Sequence, residues 1–587
     1  MPPAPSPFVE FSRALLESAS PLARLGGGEL GGKAQGLAHI RRELRGRLDR
    51  ASHPGGDPGA FDGINIDIPA LVVVGTEVFD AFLDQNDLRG VAASDVPDER
   101  IAHAFLRADL PMDILGDLRA LVQQVRTPLA VRSSSLLEDA LSQPFAGVYG
   151  TKMIPNGQYD PDLRFRQLTE AVKFVYASTF ARSAKDYRAA LGRSDDEEKM
   201  AVIIQELVGV RHHQRFYPEL SGVARTYNYY PMEPARPEEG VVSLALGLGK
   251  TIVDGEPCWT YSPAHPQVEP PFGSVEGLLK GTQTRFWAVN LGDPPAPNPG
   301  LETEYMAHES LTAAERDGTL ALLASTYSPL SGRLSIGLGF DGPRALTFAP
   351  LLVLKQLPLN DLLRQLLAAC ESALGSPVEI EFAMTFDPHR FGLLQVRAME
   401  AMREGTRVEP ADLERDDLLV ASETTLGNGA VENIVDIIYT RPETFDLTHT
   451  LAIVPELEHF NRSLLHERRP YVLICLGRLG TTDPWLGIPA NWGKISGARV
   501  VVESTRDDVR VDLSQGSHFF HNIVSLGVKY FNLPMTSRRG VDWPWLARQP
   551  AVEEAAFLRH VRLERPLGVR VDGRSGRGWI AKPEGMA

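Results

Sequence analysis

Cysteine is scarce in this chain: Cys258, Cys370 and Cys475 are the only three among 587 residues, and they sit far apart. That spacing excludes a disulfide framework and a cysteine zinc site, and it fits a reducing compartment. Long hydrophobic runs are missing as well; none approaches the ~18 apolar residues of a membrane-spanning helix. The opening stretch MPPAPSPFVEFSRALLESAS is polar and proline-rich, without the basic-then-apolar order of a secretory leader. A cytoplasmic protein with no membrane partner is the expectation. Positive charge is in deficit, with 60 Lys and Arg against 75 Asp and Glu and a net charge of −15. Such a surface disfavours nucleic acid and anionic lipid, while a local basic pocket for phosphates stays open.

What is present reads as a globular chain. Hydrophobic residues make up 43% and charged residues 23%, enough to bury cores without staples. At ~150 residues per domain, about four domains is the soft expectation. IPALVVV (68–74) and MAVIIQELV (200–208) read as strands, the second buried because its apolar run is continuous. TPLAVRSSSLLEDA (127–140) reads as a strand entering a serine-rich turn, and RSDDEEK (193–199) as a solvated connection. The Pro-rich GDPPAPNPG (292–300) is a loop suited to separating two sub-domains. SPLSGRLSIGLGFDGPRALTFA (328–349) is strand-like, and LNDLLRQLLAACESAL is an amphipathic helix. The polar REGTRVEPADLERDD (403–417) marks the main domain boundary. Strands and helices mixed in this way predict an α/β or α+β body.

Four stretches carry chemistry. GGGELGGKAQG (26–36) is nearly G-x-x-x-x-G-K, but Ala34 stands where a metal-holding hydroxyl belongs. LALGLGKTI is a second near-match that lacks the first glycine, and neither clearly follows a strand–loop–helix order. Backbone N–H groups and Lys33 at a helix start suit an anion, and a glycine-rich turn with a surface lysine is the plainer reading. In VRSSSLLEDALSQPFAGVYGT, Arg132 leaves a strand beside hydroxyls, which suits phosphate oxygens, while an N-cap at Ser135 accounts for the same pattern. PVEIEFAMTF and LLQVRAME alternate on either side of DPHRFG and predict a hairpin. With a loop of Asp387 to His389, Phe386 faces Arg390, Glu381 faces Gln395 and Glu379 faces Arg397. Two acids, an amide oxygen and an arginine on one face suit a hard cation and a phosphate, or else an ordinary cross-strand ion pair.

In their order along the chain, GGKAQGLAHI, IPALVVVGTEVFDAFL, LAVRSSSLLEDALSQPFAGVYGT, MAVIIQELV, SGVART, LGLGKTIVDGE and VEIEFAM…LLQVRAM resemble the nucleotide-binding domain shared by pyruvate phosphate dikinase and phosphoenolpyruvate synthase. The resemblance implies an ATP-grasp-like, two-lobed α/β (α+β) body over residues 20–402, with sub-lobes about 20–200 and 201–402, behind an N-terminal extension of residues 1–19. It implies ATP and Mg²⁺ as cofactors. Lys33 and Arg132 would contact ATP phosphates and Arg397 the terminal one, these three cations acting in catalysis. Glu381 and Gln395 would hold Mg²⁺, supported by Glu379. The loop around Gly147 and Thr151 would cover the phosphates, and Gln205 would lie near the adenine. Two positions depart from the family: Lys250 replaces an acid and Arg225 replaces a phenylalanine, both adding positive charge near the site.

The family's T-S-H-A-like phosphohistidine motif and its C-terminal barrel are missing from this sequence, so pyruvate chemistry is not expected. Residues 418–587 read as a smaller α/β module resembling a reduced swivel-like domain, with PYVLICL and ARVVVE as strands. His518 and His521 in SHFFHNIVSLG share a helical face and suit phosphate acceptance, although capping and packing account for them more simply. Asp483-Pro484-Trp485 with Arg478 borders a cleft or forms a rigid loop. The expected activity is an ATP- and Mg²⁺-dependent phosphotransferase. Its acceptor is open between a histidine of the module, a partner protein and a small molecule, and the oligomeric state is open too. The rival readings are an ATP-grasp ligase activating a carboxylate and a non-catalytic ATP-sensing module.

Overall fold

The computed structural model describes residues 8–13, 22–51, 63–138, 148–190, 193–194, 198–228, 231, 234–270, 275–399, 406–480, 487–490, 492–505, 528–533 and 540–583. The fold is mixed α/β, and two sheets of the body position the site.

The first sheet has the order Val9–Glu10, Leu22–Leu25, Leu71–Val74, Met200–Glu206, Leu129–Ser135, Thr151–Ile154. Its first three strands are parallel and the rest antiparallel. Helices cover both faces, which is why Leu71–Val74 is apolar throughout and Met200–Glu206 is apolar as far as Ile204. Val72, Val74, Val202 and Ile204 face one core with Phe79, Phe82 and Tyr176. Leu71, Val73, Ala201 and Ile203 face a second core with Ala34, Leu37 and Ile40 of the helix Gly31–Ala51. The solvated reading of residues 193–199 fails at Glu198, which is buried and accepts from Tyr149 Oη at 2.5 Å.

The second sheet runs Trp259–Tyr261, Val241–Ala245, Leu220–Arg225, Val378–Phe386, His389–Ala398, Asn65–Asp67. Asn65–Asp67, from the N-terminal side of the body, joins it as a parallel edge strand. One face is apolar: Ala224, Val242, Leu244, Ile380, Phe382 and Val396 pack under the helix Leu359–Leu374. That helix spans the predicted amphipathic segment. The opposite face is polar.

Val378–Phe386 and His389–Ala398 form the predicted hairpin, and Glu379 pairs with Arg397 and Glu381 with Gln395 as the alternation requires. The turn differs. It is Asp387-Pro388, with Phe386 opposite His389 and Thr385 opposite Arg390, one residue tighter than expected. A β-bulge at Leu394, between the Glu381–Gln395 and Phe382–Leu393 pairs, absorbs the difference and restores the register.

The C-terminal module has a third sheet whose centre is four parallel strands, Gly429–Thr440, Tyr471–Leu476, Ala498–Ser504 and Lys529–Leu533. The helix Thr450–His466 makes the first crossover. One face of this sheet shares a core with the helices of the first sheet: Ile438, Leu473 and Val501 belong to the same buried cluster as Phe79 and Tyr176. The helix Arg182–Ala190 and the module come close at Gly493, where a Cβ would lie 2.7 Å from Ser183 Cβ. His518, His521 and Asp483-Pro484-Trp485 lie outside the described residues. No helix among the described residues is long and apolar enough to cross a membrane.

Candidate functional site

Arg132 ties the two body sheets together. It leaves the strand Leu129–Ser135 and reaches the hairpin of the second sheet. Nη2 donates to Gln395 Oε1 at 2.8 Å and to Glu381 Oε2 at 3.1 Å. Nη1 donates to the Leu394 carbonyl at 3.1 Å and, at 3.5 Å, to Gln205 Oε1. The bulge explains the carbonyl: a bulged residue leaves the regular ladder, so its C=O is free to accept from outside the sheet. Arg132 and Glu381 are partly open, with side chains 14% and 15% exposed. Gln205 is buried, and its Nε2 has no hydrogen-bond partner among the described residues. An amide donor left in that state costs free energy that a ligand acceptor recovers. Thr151 is the register partner of Arg132 on the neighbouring strand. Gly147 lies outside the described residues.

One register step along the same face, Glu379 sits between two arginines. Arg225 Nε donates to it at 2.5 Å and Arg397 Nη2 donates to its other oxygen. Glu379, Arg225 and Arg397 are all buried. The charge that Arg225 adds is therefore tied to Glu379. Lys250 is tied too, to Asp254 at 2.9 Å and Glu302 at 3.3 Å. Burial works against the Lys250 charge, but the two carboxylates outweigh it and raise its pKa.

Lys33 stands apart from this group. Its ammonium pairs with Glu138 at 2.6 Å and donates to Ser133 Oγ at 3.3 Å. The glycine-rich loop before it does follow a strand, Leu22–Leu25, and does open a helix, contrary to the sequence reading. Its backbone, however, is spent on neighbours. Glu29 N donates to Thr76 Oγ1, Glu77 N donates to the Gly27 carbonyl, and Ala34 N donates to Ser134 Oγ. Gly31 has φ +74° and a Cβ there would lie 1.8 Å from the Ser134 carbonyl oxygen, so only glycine lets the helix start dock on the strand. LGLGKTI likewise runs from the strand Val241–Ala245 into the short helix Lys250–Val253.

Three contributors escaped the sequence reading. Glu138 is the partner of Lys33; its signal is the S-x-x-E spacing from Ser135, and the two residues bond reciprocally, Glu138 N to Ser135 Oγ and Ser135 N to Glu138 Oε2. The Leu394 carbonyl is signalled by the doubled Leu393-Leu394, which breaks the period-two pattern. Arg225 stood out only as a departure, with no sign of its pairing with Glu379.

A hard cation fits the hairpin by chemistry. Among the described residues no group of three or more His, Cys, Asp or Glu gathers. A metal here would take one carboxylate and one amide oxygen from the chain and would need water and phosphate for the rest, an arrangement that suits Mg²⁺. Glu381 and Gln395 already turn oxygens toward one cationic group.

A rifampicin phosphotransferase from Streptomyces sviceus is 31% identical over 170 residues, covering 27% of this chain and only 18% of that protein's length. A family model described as the pyruvate phosphate dikinase AMP/ATP-binding domain matches residues 28–417. That match runs from the glycine-rich loop through both sheets and past the hairpin, and the chain belongs to this AMP/ATP-binding family.

Proposed function

We propose that the body binds ATP with Mg²⁺ between its two sheets and transfers a phosphoryl group, so that the chain is an ATP-dependent phosphotransferase. One observation carries the reading: Arg132 of the first sheet is held by Glu381 and Gln395 of the second, beside the unpartnered amide donor of Gln205. Glu381 and Gln395 hold Mg²⁺, which supplies charge neutralisation at phosphate oxygens. Arg132, Lys33 and Arg397 bind and orient the phosphates, Glu379 fixes the Arg397 guanidinium, and Gln205 offers its amide to the base. Catalysis in this reading is positioning and electrostatic stabilisation, which is what phosphoryl transfer chiefly requires. The acceptor is a small molecule or a partner protein. Three free cysteines accord with a cytoplasmic setting.

The test uses ATP labelled separately at the β and γ positions. Label reaching a small molecule or the protein, with ADP or AMP released in step, supports transfer. No ATP consumption with any acceptor offered sinks it. One observation favours a nucleotide-sensing module instead: Lys33, Arg132 and Arg397 each already pair with a carboxylate, Glu138, Glu381 and Glu379. Saturable Mg·ATP binding with no turnover selects that reading.

A further inference from the structure

Arg478 belongs to the C-terminal module, just past the strand Tyr471–Leu476. It is only 9% exposed. Its Nη2 donates to the Gly255 carbonyl at 2.8 Å, while its Nε has no hydrogen-bond partner among the described residues. Among the described residues no carboxylate pairs with it. A guanidinium buried without an anion is costly, because a single carbonyl does not replace its hydration.

Its position gives the cost a use. Three residues beyond Gly255, Cys258 Sγ lies 3.9 Å from Thr260 Oγ1, which lies 3.1 Å from Ser243 Oγ. Thr260, Ser243, Val223, Glu381 and Gln395 form one cross-strand row, with Arg225 in the next row on the same face. At ~4.8 Å per strand, Ser243 is about 10 Å from Glu381. Burial raises the Cys258 pKa, and Arg478 and Arg225 both oppose that rise, so both guanidiniums bear on this thiol. Arg478, without a carboxylate partner among the described residues, therefore stands at the end of the proposed phosphate face, a short molecule's length from the metal acid.

We infer that Arg478, with the hydroxyls of Ser243 and Thr260, forms a subsite for an oxyanion of the phosphoryl acceptor, a carboxylate or phosphate group on a small molecule. The inference rests on the phosphotransferase reading. A guanidinium so deeply buried admits one anionic group and leaves no surface for a macromolecule.

The test titrates inorganic phosphate and malonate separately into the full chain by calorimetry, with and without saturating Mg·AMP-PNP, a non-hydrolysable ATP analogue. At least one anion binds in the presence of nucleotide, Arg478→Gln weakens it about tenfold, the loss of one charge-assisted contact, and Arg478→Lys recovers most of it. Preference for phosphate marks a phosphorylated acceptor and preference for malonate a carboxylated one. Absence of anion binding, or equal binding by Arg478→Gln, overturns the subsite alone. Failure of Mg·AMP-PNP to bind overturns the phosphotransferase reading and the acceptor role with it. If Arg478→Gln does not fold, the wild-type chain gives the answer through Cys258, which is partly exposed while Cys370 and Cys475 are buried. Phosphate or malonate slows its alkylation by iodoacetamide if the subsite exists, and an unchanged rate overturns it.

Discussion

Glu381 in the body and Asp436 in the C-terminal module are both strand carboxylates that accept from arginine, and their surroundings are opposite. Asp436 is fully buried and filled on both oxygens. Oδ1 accepts from His560 Nε2 at 2.8 Å and Arg562 Nε at 2.7 Å, and Oδ2 from Arg469 Nε at 2.8 Å. Glu381 is partly open and shares a single guanidinium with Gln395. A ligand can replace one guanidinium on a partly open acid. It cannot displace three donors converging on a closed one. The same inventory of charges is a fastener in one place and an exchangeable contact in the other. Glu198 shows a third outcome. It is buried with one hydroxyl donor and its Oε1 lacks a partner among the described residues. There burial prevails over the Tyr149 hydrogen bond and the Arg188 charge, and the carboxyl is pushed up to about 7.

The largest effect expected from this contrast is at Asp436. Asp436→Ala leaves His560, Arg469 and Arg562 facing a void, and a loss of about 3–5 kcal/mol is expected in denaturant unfolding. Burial pushes the Asp436 carboxyl up, but the hydrogen bonds from His560, Arg562 and Arg469 outweigh it and hold it below the usual carboxylate range. Its stabilisation is therefore full above the ordinary aspartate pKa and lost as pH falls through the lower folded value. A wild-type-like unfolding curve for the variant would remove the fastener from the comparison. Next in size, Glu381→Ala should weaken Mg²⁺-dependent nucleotide binding about 100-fold, or ~2.7 kcal/mol, with little change in melting temperature. Unchanged affinity refutes the assignment of the hairpin acids.

Glu198→Gln sharpens the comparison through pH. Because the folded carboxyl titrates near 7, the wild type loses stability as pH rises from the ordinary glutamate value through that point. The variant should be more stable at pH 8 by about 1–2 kcal/mol and flatter across that window. A parallel loss in both proteins rules this out. The smallest effect is expected at Glu138→Gln, which releases Lys33 and should tighten Mg·ADP about threefold, or ~0.6 kcal/mol. Weaker binding in that variant would make Glu138 a support for Lys33, with no competing role.

The hairpin face was legible in the sequence because alternation is a strong local signal, and Glu379, Glu381, Gln395 and Arg397 occupy the row it predicts. The turn length was not, since the doubled leucine that reports the bulge lies five residues beyond His389, the last residue of the expected turn. Asn65–Asp67 is too short to announce itself as an edge strand and finds its partner more than 300 residues away, at Arg390. The acidic look of residues 193–199 concealed Glu198, because composition does not tell which member of a charged run turns inward. Asp436 and its partners at 469, 560 and 562 share no spacing at all; only the sheet brings them together.

Leu394 has a consequence for how this strand tolerates insertions and deletions. A strand's faces are a binary code, and an extra residue inverts every later digit. Phe391 and Leu393 read apolar on one parity, and Val396 reads apolar on the other. The bulge is the bit that reconciles them. Removing Leu394 alone would close the ladder into a regular one, with Gln395 still opposite Glu381, Arg397 opposite Glu379 and Val396 in the core; what is lost is the carbonyl that accepts from Arg132. Removing Val396 instead, beyond the bulge, would put Arg397 opposite Ile380 on the core face. The hairpin therefore tolerates a deletion at the bulge and none just beyond it, and its one spare digit serves to hold Arg132.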